Sequence, residues 1–288
     1  MKTSTLKKLI GTTLASLSLI SVSGLPAMAG QLHNGWNYGI DSFNDGSGGE
    51  AFNIRGIAIK ETSNSIFVAL TGGMPLTGVS YGGAADGNIG WGDLFLNFTG
   101  KNFTTASNQK SLLGVRFAGT NDSKVATTGL YGNVKGANVT LDNSGYSSLK
   151  QYYDHGFDSA DTQGTDIATK AAAYNYFGEG TILNVIDSGA KKLGGIQSLS
   201  AASLTGQGLN FGFFGASGTQ TLGFSLNKAD LGLADGKYNY MASLFLECGN
   251  DGVSLAGGVS VPEPGSLAGL ALVGLTLLGG SRLSKRQS

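Results

Sequence analysis

Short apolar stretches of alternating character, each cut off by glycine, are what this chain offers a fold to build on. Tyr240, Ala242, Leu244, Leu246 and Cys248 take every second position of one stretch, with Asn239, Ser243 and Glu247 among the residues between. A period of two sends alternate side chains to opposite faces of a strand. Ala137, Val139 and Leu141 alternate in the same way with Asn138, Thr140 and Asp142, and Leu94, Leu96 and Phe98 with Phe95 and Asn97. Glycine supplies 48 of the 288 residues, well over twice the usual share of about 7%. Such glycine could mean disorder, but the hydrophobic fraction is 41% and aromatics are spread along the chain, so a packed core can form. The expected class is all-β.

Phe52 to Lys60 opens as a strand whose phase shifts at Gly56-Ile57, where a bulge is expected. Thr62-Ser63-Asn64 turns the chain into Ile66 to Leu70, a more fully buried partner, and the two read as a hairpin. Further strands are expected at Leu112 to Ala118, Ile182 to Ile186, Leu209 to Phe214, Leu222 to Leu226 and Tyr238 to Cys248. Asp166 to Phe177, with Ala168, Ala171, Ala172 and Ala173, reads as one short helix. Many short strands, no repeat period and no dividing linker point to a single β-sandwich over residues 30–260, jelly-roll-like in outline.

The two ends carry different signatures. Lys2, Lys7 and Lys8 flank the start of an apolar run from Leu9 to Val22, and Ala27-Met28-Ala29 offers a small-x-small cleavage site before Gly30. Residues 1–29 therefore read as a signal peptide with a helical apolar segment, served by signal peptidase and the secretion machinery. Over residues 261–288, Val261-Pro262-Glu263-Pro264 precedes an apolar run from Gly265 to Gly280 and then Arg282, Lys285 and Arg286. As a helix that run reaches about 24 Å, short of a bilayer core of about 30 Å. The basic residues belong on the cytoplasmic side, and the two prolines keep the Pro-Glu-Pro element extended. An extended element beside a short transmembrane helix is something a membrane-embedded processing enzyme can grip.

This tail resembles the PEP-CTERM sorting tail of exosortase-dependent surface proteins. The resemblance runs from Val261 to the end of the chain and no further back. It implies that an exosortase-type enzyme recognises Pro262, Glu263 and Pro264 and removes the tail. It also implies a transient membrane association through the tail, an inner-membrane intermediate, and delivery to the outer cell surface or extracellular matrix.

With both ends removed, 13 Lys+Arg stand against 18 Asp+Glu, a net charge of −5. An acidic surface speaks against nucleic acid and anionic membranes as partners. The single cysteine, Cys248, allows no internal disulfide, and its strand phase puts it on the core face as a buried thiol.

No catalytic constellation emerges. Gly252-Val253-Ser254-Leu255-Ala256 approaches a nucleophile elbow but ends in alanine, and both histidines, His33 and His155, precede the serine. Gly206-Gln207-Gly208 with Gly212 has the wrong spacing for a dinucleotide loop. Paired carboxylates meet only in the fold, and Glu50, Glu61, Glu179 and Glu247 have no distinctive setting. Neither an enzyme nor a cofactor is expected.

Calcium is the one ion weighed. Asp86, Asn88 and Asp93 place oxygens along a Gly-rich loop, though without a Glu at its twelfth position. Asp154, Asp158, Asp161 and Asp166 form a second acidic group and Asn250-Asp251-Gly252 a third, each with the composition of a solvated turn. Among Trp36, Tyr38, Trp91, Tyr152, Tyr153, Tyr174 and Tyr176, Trp91 is the best candidate for stacking on a sugar. The expected role is structural or adhesive, at the cell surface or in the matrix. The alternative is a secreted glycan-binding module with extracellular polysaccharide as its partner.

Overall fold

The computed structural model describes residues 30–42, 45, 48–155, 167 and 169–261. The signal-peptide and tail segments, Ala27, Ala29, Pro262, Glu263 and Pro264 included, lie outside the described residues. The first strands are β1 Gln31–His33, β2 Trp36–Ile40, β3 Ile54–Glu61, β4 Ser65–Gly72, β5 Val79–Ser80, β6 Asn88–Ile89, β7 Leu94–Asn97 and β8 Leu112–Arg116. They continue as β9 Gly129–Val134, β10 Gly136–Ala137, β11 Val185–Ile186, β12 Lys191–Gly194, β13 Gln197–Leu199, β14 Gln220–Asn227, β15 Gly236–Phe245 and β16 Gly252–Val261. The α-helices are α1 Phe103–Asn108, α2 Leu149–His155, α3 Lys170–Phe177 and α4 Ala201–Gly206.

Twelve strands form two antiparallel six-stranded sheets, in the orders β1-β2-β3-β4-β14-β13 and β12-β9-β8-β7-β15-β16. One apolar cluster takes Ile57, Val68, Leu70 and Phe224 from the first sheet and Leu96, Val115, Leu130, Leu244 and Leu255 from the second. These are the inward residues of alternating strands, so the period of two in the sequence becomes a shared core.

Each sheet is also covered on its other face. Phe95, Met241 and Phe245 of the second sheet pack with Phe103 of α1, Tyr152 of α2 and Tyr176 of α3. Trp36, Tyr38 and Ala69 of the first sheet pack with Leu204 of α4 and with Leu209 and Phe211. Burial on both faces explains why β7 is buried throughout and β15 from Tyr240 to Phe245.

The hairpin β3–β4 forms where the sequence puts it, with Thr62 Oγ1 accepting from Ser65 N at 3.1 Å in the turn. The register shifts between Ile54 and Gly56, so the bulge falls at the start of the strand. Other expectations need correction. There are four short helices among the described residues rather than one. Asn102 and Ser200 accept from Thr105 N and Ser203 N and so start α1 and α4. Each of those helices has six residues, too few to show a 3.6-residue period.

Phe211–Phe214 is a 3-10 turn rather than a strand, opened by Asn210 Oδ1 accepting from Phe213 N at 3.1 Å. Only Gly136–Ala137 of the stretch to Leu141 is strand, because Thr140 O closes a turn by accepting from Gly145 N at 2.8 Å. Among the described residues no helix is long and apolar enough to cross a membrane.

The two sheets approach closely where β2 of one passes β16 of the other. Asn37 Nδ2 donates to Ala256 O at 2.8 Å across this gap. A Cβ on Gly39 would lie 2.8 Å from Ser254 O, so glycine is what lets the two strands approach.

Candidate functional site

The end of β2 and the start of β16 bring together residues far apart in the chain. Asp41 follows Ile40 directly, and Asp251 directly precedes Gly252. With Asp45 they form a carboxylate triad in which one oxygen from each lies within 4.8 Å of the others. All three are at most 3% exposed. Backbone N–H groups hold the triad in place. Asp251 Oδ2 accepts from Ile54 N at 2.5 Å, Asp251 Oδ1 from Gly252 N at 2.7 Å, and Asp41 Oδ1 from Ser42 N at 3.0 Å. From the helical layer, the Tyr152 hydroxyl donates to Asp45 Oδ2 at 3.2 Å.

The triad thus contacts both sheets and α2. A cavity of about 30 Å³ adjoins it, lined in part by Asp41, Asp45, Tyr152, Tyr153 and Ser254. Asp41 Oδ2 is buried with no donor reaching it. Burial, and next the neighbouring carboxylates, hold the Asp41 carboxyl well above the ordinary range, and Asp251 is raised for the same reasons. None of the ion pairs among the described residues involves Asp41 or Asp251.

The loop weighed as a calcium site in the sequence is arranged differently. Asp86 is exposed and accepts from Asn88 N at 2.9 Å, closing a turn. Asp93 is fully buried, and its carboxylate accepts from Ser123 Oγ at 2.5 Å, Ile186 N at 2.7 Å and Asn121 Nδ2 at 2.9 Å. It serves as a knot of the second sheet rather than as a companion of Asp86 and Asn88. Burial raises its pKa to about 6, against the pull of those hydrogen bonds and of Arg116.

Glu247 is a second buried carboxyl. Its Oε2 accepts from Gly90 N at 2.6 Å and its Oε1 from Asp122 N. Burial raises it to about 7.

Trp91 is fully buried, with its indole N–H donating to Pro75 O at 3.1 Å. A ring so placed has no face to offer a sugar. The exposed aromatic rings among the described residues are instead Tyr81 and Phe213, the latter stacked on His33 with centroids 3.9 Å apart. Trp36, Tyr38, Tyr152 and Tyr176 are core residues. In the second acidic group Asp154 pairs with Lys150 and with Lys170, the latter at 3.0 Å, while Asp158, Asp161 and Asp166 lie outside the described residues. The third group supplies Asp251 to the triad. Cys248 is 3% exposed among the core residues, and burial pushes its thiol up to about 12. Comparisons with protein-family models, with curated proteins and with solved structures find no match for this chain.

Proposed function

We propose that this chain is an exported, exosortase-processed component of the cell surface or extracellular matrix, with a structural or adhesive, non-enzymatic role. Its two sheets are best read as the layers of one β-sandwich, since a single apolar cluster draws on both. The consecutive hairpins β1–β4 and β7–β9 favour a meander sandwich over a jelly roll. The observation that carries the functional reading is the order of the chain where the domain stops. Strand β16 runs to Val261, and Pro262-Glu263-Pro264 follows at once, then the short apolar run and Arg282, Lys285 and Arg286. The partners this implies are an exosortase-type processing enzyme at the membrane and, before it, signal peptidase and the secretion machinery.

The test replaces Pro262, Glu263 and Pro264 with alanine in the full chain. A tail anchor needs only the apolar run, which the replacement leaves intact; a sorting signal needs the motif. The variant should remain membrane-bound with its tail. Wild type should shed the run from Gly265 to Gly280 with its basic end, seen as a drop in intact mass, and leave the membrane. Identical behaviour of the two would end the sorting reading.

The stacking of exposed Phe213 on His33 favours glycan binding as the second reading. Retention on insoluble polysaccharide that Phe213→Ala abolishes would support it.

A further inference from the structure

We propose that Asp41, Asp45 and Asp251 form a calcium site that fastens the two sheets to each other and to the helical layer. The ligand set is all oxygen and all carboxylate, the chemistry of a hard divalent cation rather than of zinc or copper. Two oxygens on opposite sides of one calcium ion are about 4.6–5.2 Å apart, given Ca–O distances of 2.3–2.6 Å. One oxygen from each of the three aspartates lies within 4.8 Å of the other two. Magnesium, at 2.0–2.1 Å, asks for a tighter octahedron and keeps several waters. The adjoining cavity of about 30 Å³ has room for water to complete the six to eight oxygens that calcium takes.

Independent of the clustering, Asp41 Oδ2 is a buried oxygen with no hydrogen-bond donor. The backbone N–H groups of Ser42, Ile54 and Gly252 meet the other oxygen of Asp41 and the two oxygens of Asp251, and without an ion the Asp41 and Asp251 carboxyls are left to share a proton with each other. An acceptor so enclosed is costly unless a donor or a cation meets it. Three adjacent buried carboxylates also repel one another, and a dication relieves both penalties at once. The placement gives the ion a mechanical role. Asp41 follows β2 directly, Asp251 precedes β16 and accepts from Ile54 N at the start of β3, and Asp45 accepts from Tyr152 of α2. In a chain with one cysteine, such a clip would take the place that disulfides have in other exported domains.

The test uses full-length protein stripped with a chelator and titrated with calcium chloride, in parallel with magnesium chloride. At about 100 times its dissociation constant, calcium should raise the melting temperature by about 5–10 °C. Terbium, a luminescent stand-in for calcium, should show tyrosine-sensitised emission through Tyr152, and excess calcium should quench it. Asp41→Asn should cross over with wild type. In chelator it should melt higher, because one repelling charge is gone, and in calcium it should melt lower, having lost at least tenfold in affinity. Asp45→Asn gives the same comparison should Asp41→Asn fail to fold. No calcium-dependent shift and no terbium emission would mean that the triad shares protons instead, overturning the site. An equal or larger shift with magnesium would overturn the assignment to calcium.

Discussion

Arg116 holds the turn after β8 from inside, and its removal should be among the costliest single changes in the domain. It is 8% exposed, yet its guanidinium is filled with acceptors. Nε donates to Asn121 Oδ1 at 2.9 Å and Ala118 O at 3.4 Å, Nη2 to Gly119 O and Asn121 O at 3.0 Å each, and Nη1 to Val125 O. Asn121 in turn donates to Asp93 at 2.9 Å, so the same cation supports the buried carboxylate behind it. Arg116→Met keeps much of the volume but leaves these carbonyls without donors and Asp93 less compensated. Breaking a buried charged cluster from one side costs about 3–5 kcal/mol, a large part of a total stability of about 5–15 kcal/mol. At about 2–4 °C per kcal/mol for a domain of this size, melting followed by circular dichroism should fall by about 6–20 °C. Arg55→Met, which breaks a partly exposed pair with Glu50, should cost under about 1 kcal/mol. A value for Arg116→Met within about 1 kcal/mol of wild type, no more than an exposed pair is worth, would refute the account of this turn.

Two further outcomes follow from buried groups. Cys248, pushed up to about 12, leaves roughly one thiolate in ten thousand at pH 8, so a thiol reagent should label native protein slowly and unfolded protein fully. Fast native labelling would contradict the burial of Cys248 in the core, where it sits in the turn beyond β15. Asp93 and Glu247 are raised to about 6 and about 7, so the native state holds more protons than the unfolded chain between about pH 4 and 7. Stability should therefore fall as pH rises through that window, with Glu247 alone accounting for about 3 kcal/mol at 1.36 kcal/mol per pH unit. A melting temperature in chelator that climbs steadily from pH 5 to 7.5 would contradict this.

The features legible in the sequence are those set by neighbours in the chain. The β3–β4 hairpin and the core face of β15 follow from a period of two that needs no knowledge of the rest of the fold, although the strand expected to reach Cys248 stops at Phe245 and the cysteine joins the same core from the turn beyond. Burial of the opposite face is not written locally, so Ser243, an apparent outward residue of β15, is buried beneath the helical layer. Trp91 shows how the same residues can mislead. Gly90 and Gly92 make its surroundings look like an open loop, but a Cβ on Gly92 would lie 2.3 Å from Asn184 O and 2.4 Å from Phe245 O. Those glycines allow close packing, not exposure. The triad was half legible: Asn250-Asp251-Gly252 stands out as an acidic turn, while its meeting with Asp41 and Asp45 depends on β2 passing β16, strands some two hundred residues apart.

Export and removal of the tail are the central claim, and the intact mass of the protein released from cells, with peptide mapping of both ends, tests it most directly. Cleavage before Gly30 and after Pro264 leaves about 235 residues, or about 24 kDa by proportion from 29.4 kDa over 288. That species should be found outside the membrane fraction, with Gly30 first and no peptide from residues 265–288. A heavier, membrane-bound product that begins at Gly30 but keeps the run from Gly265 to Gly280 would contradict it.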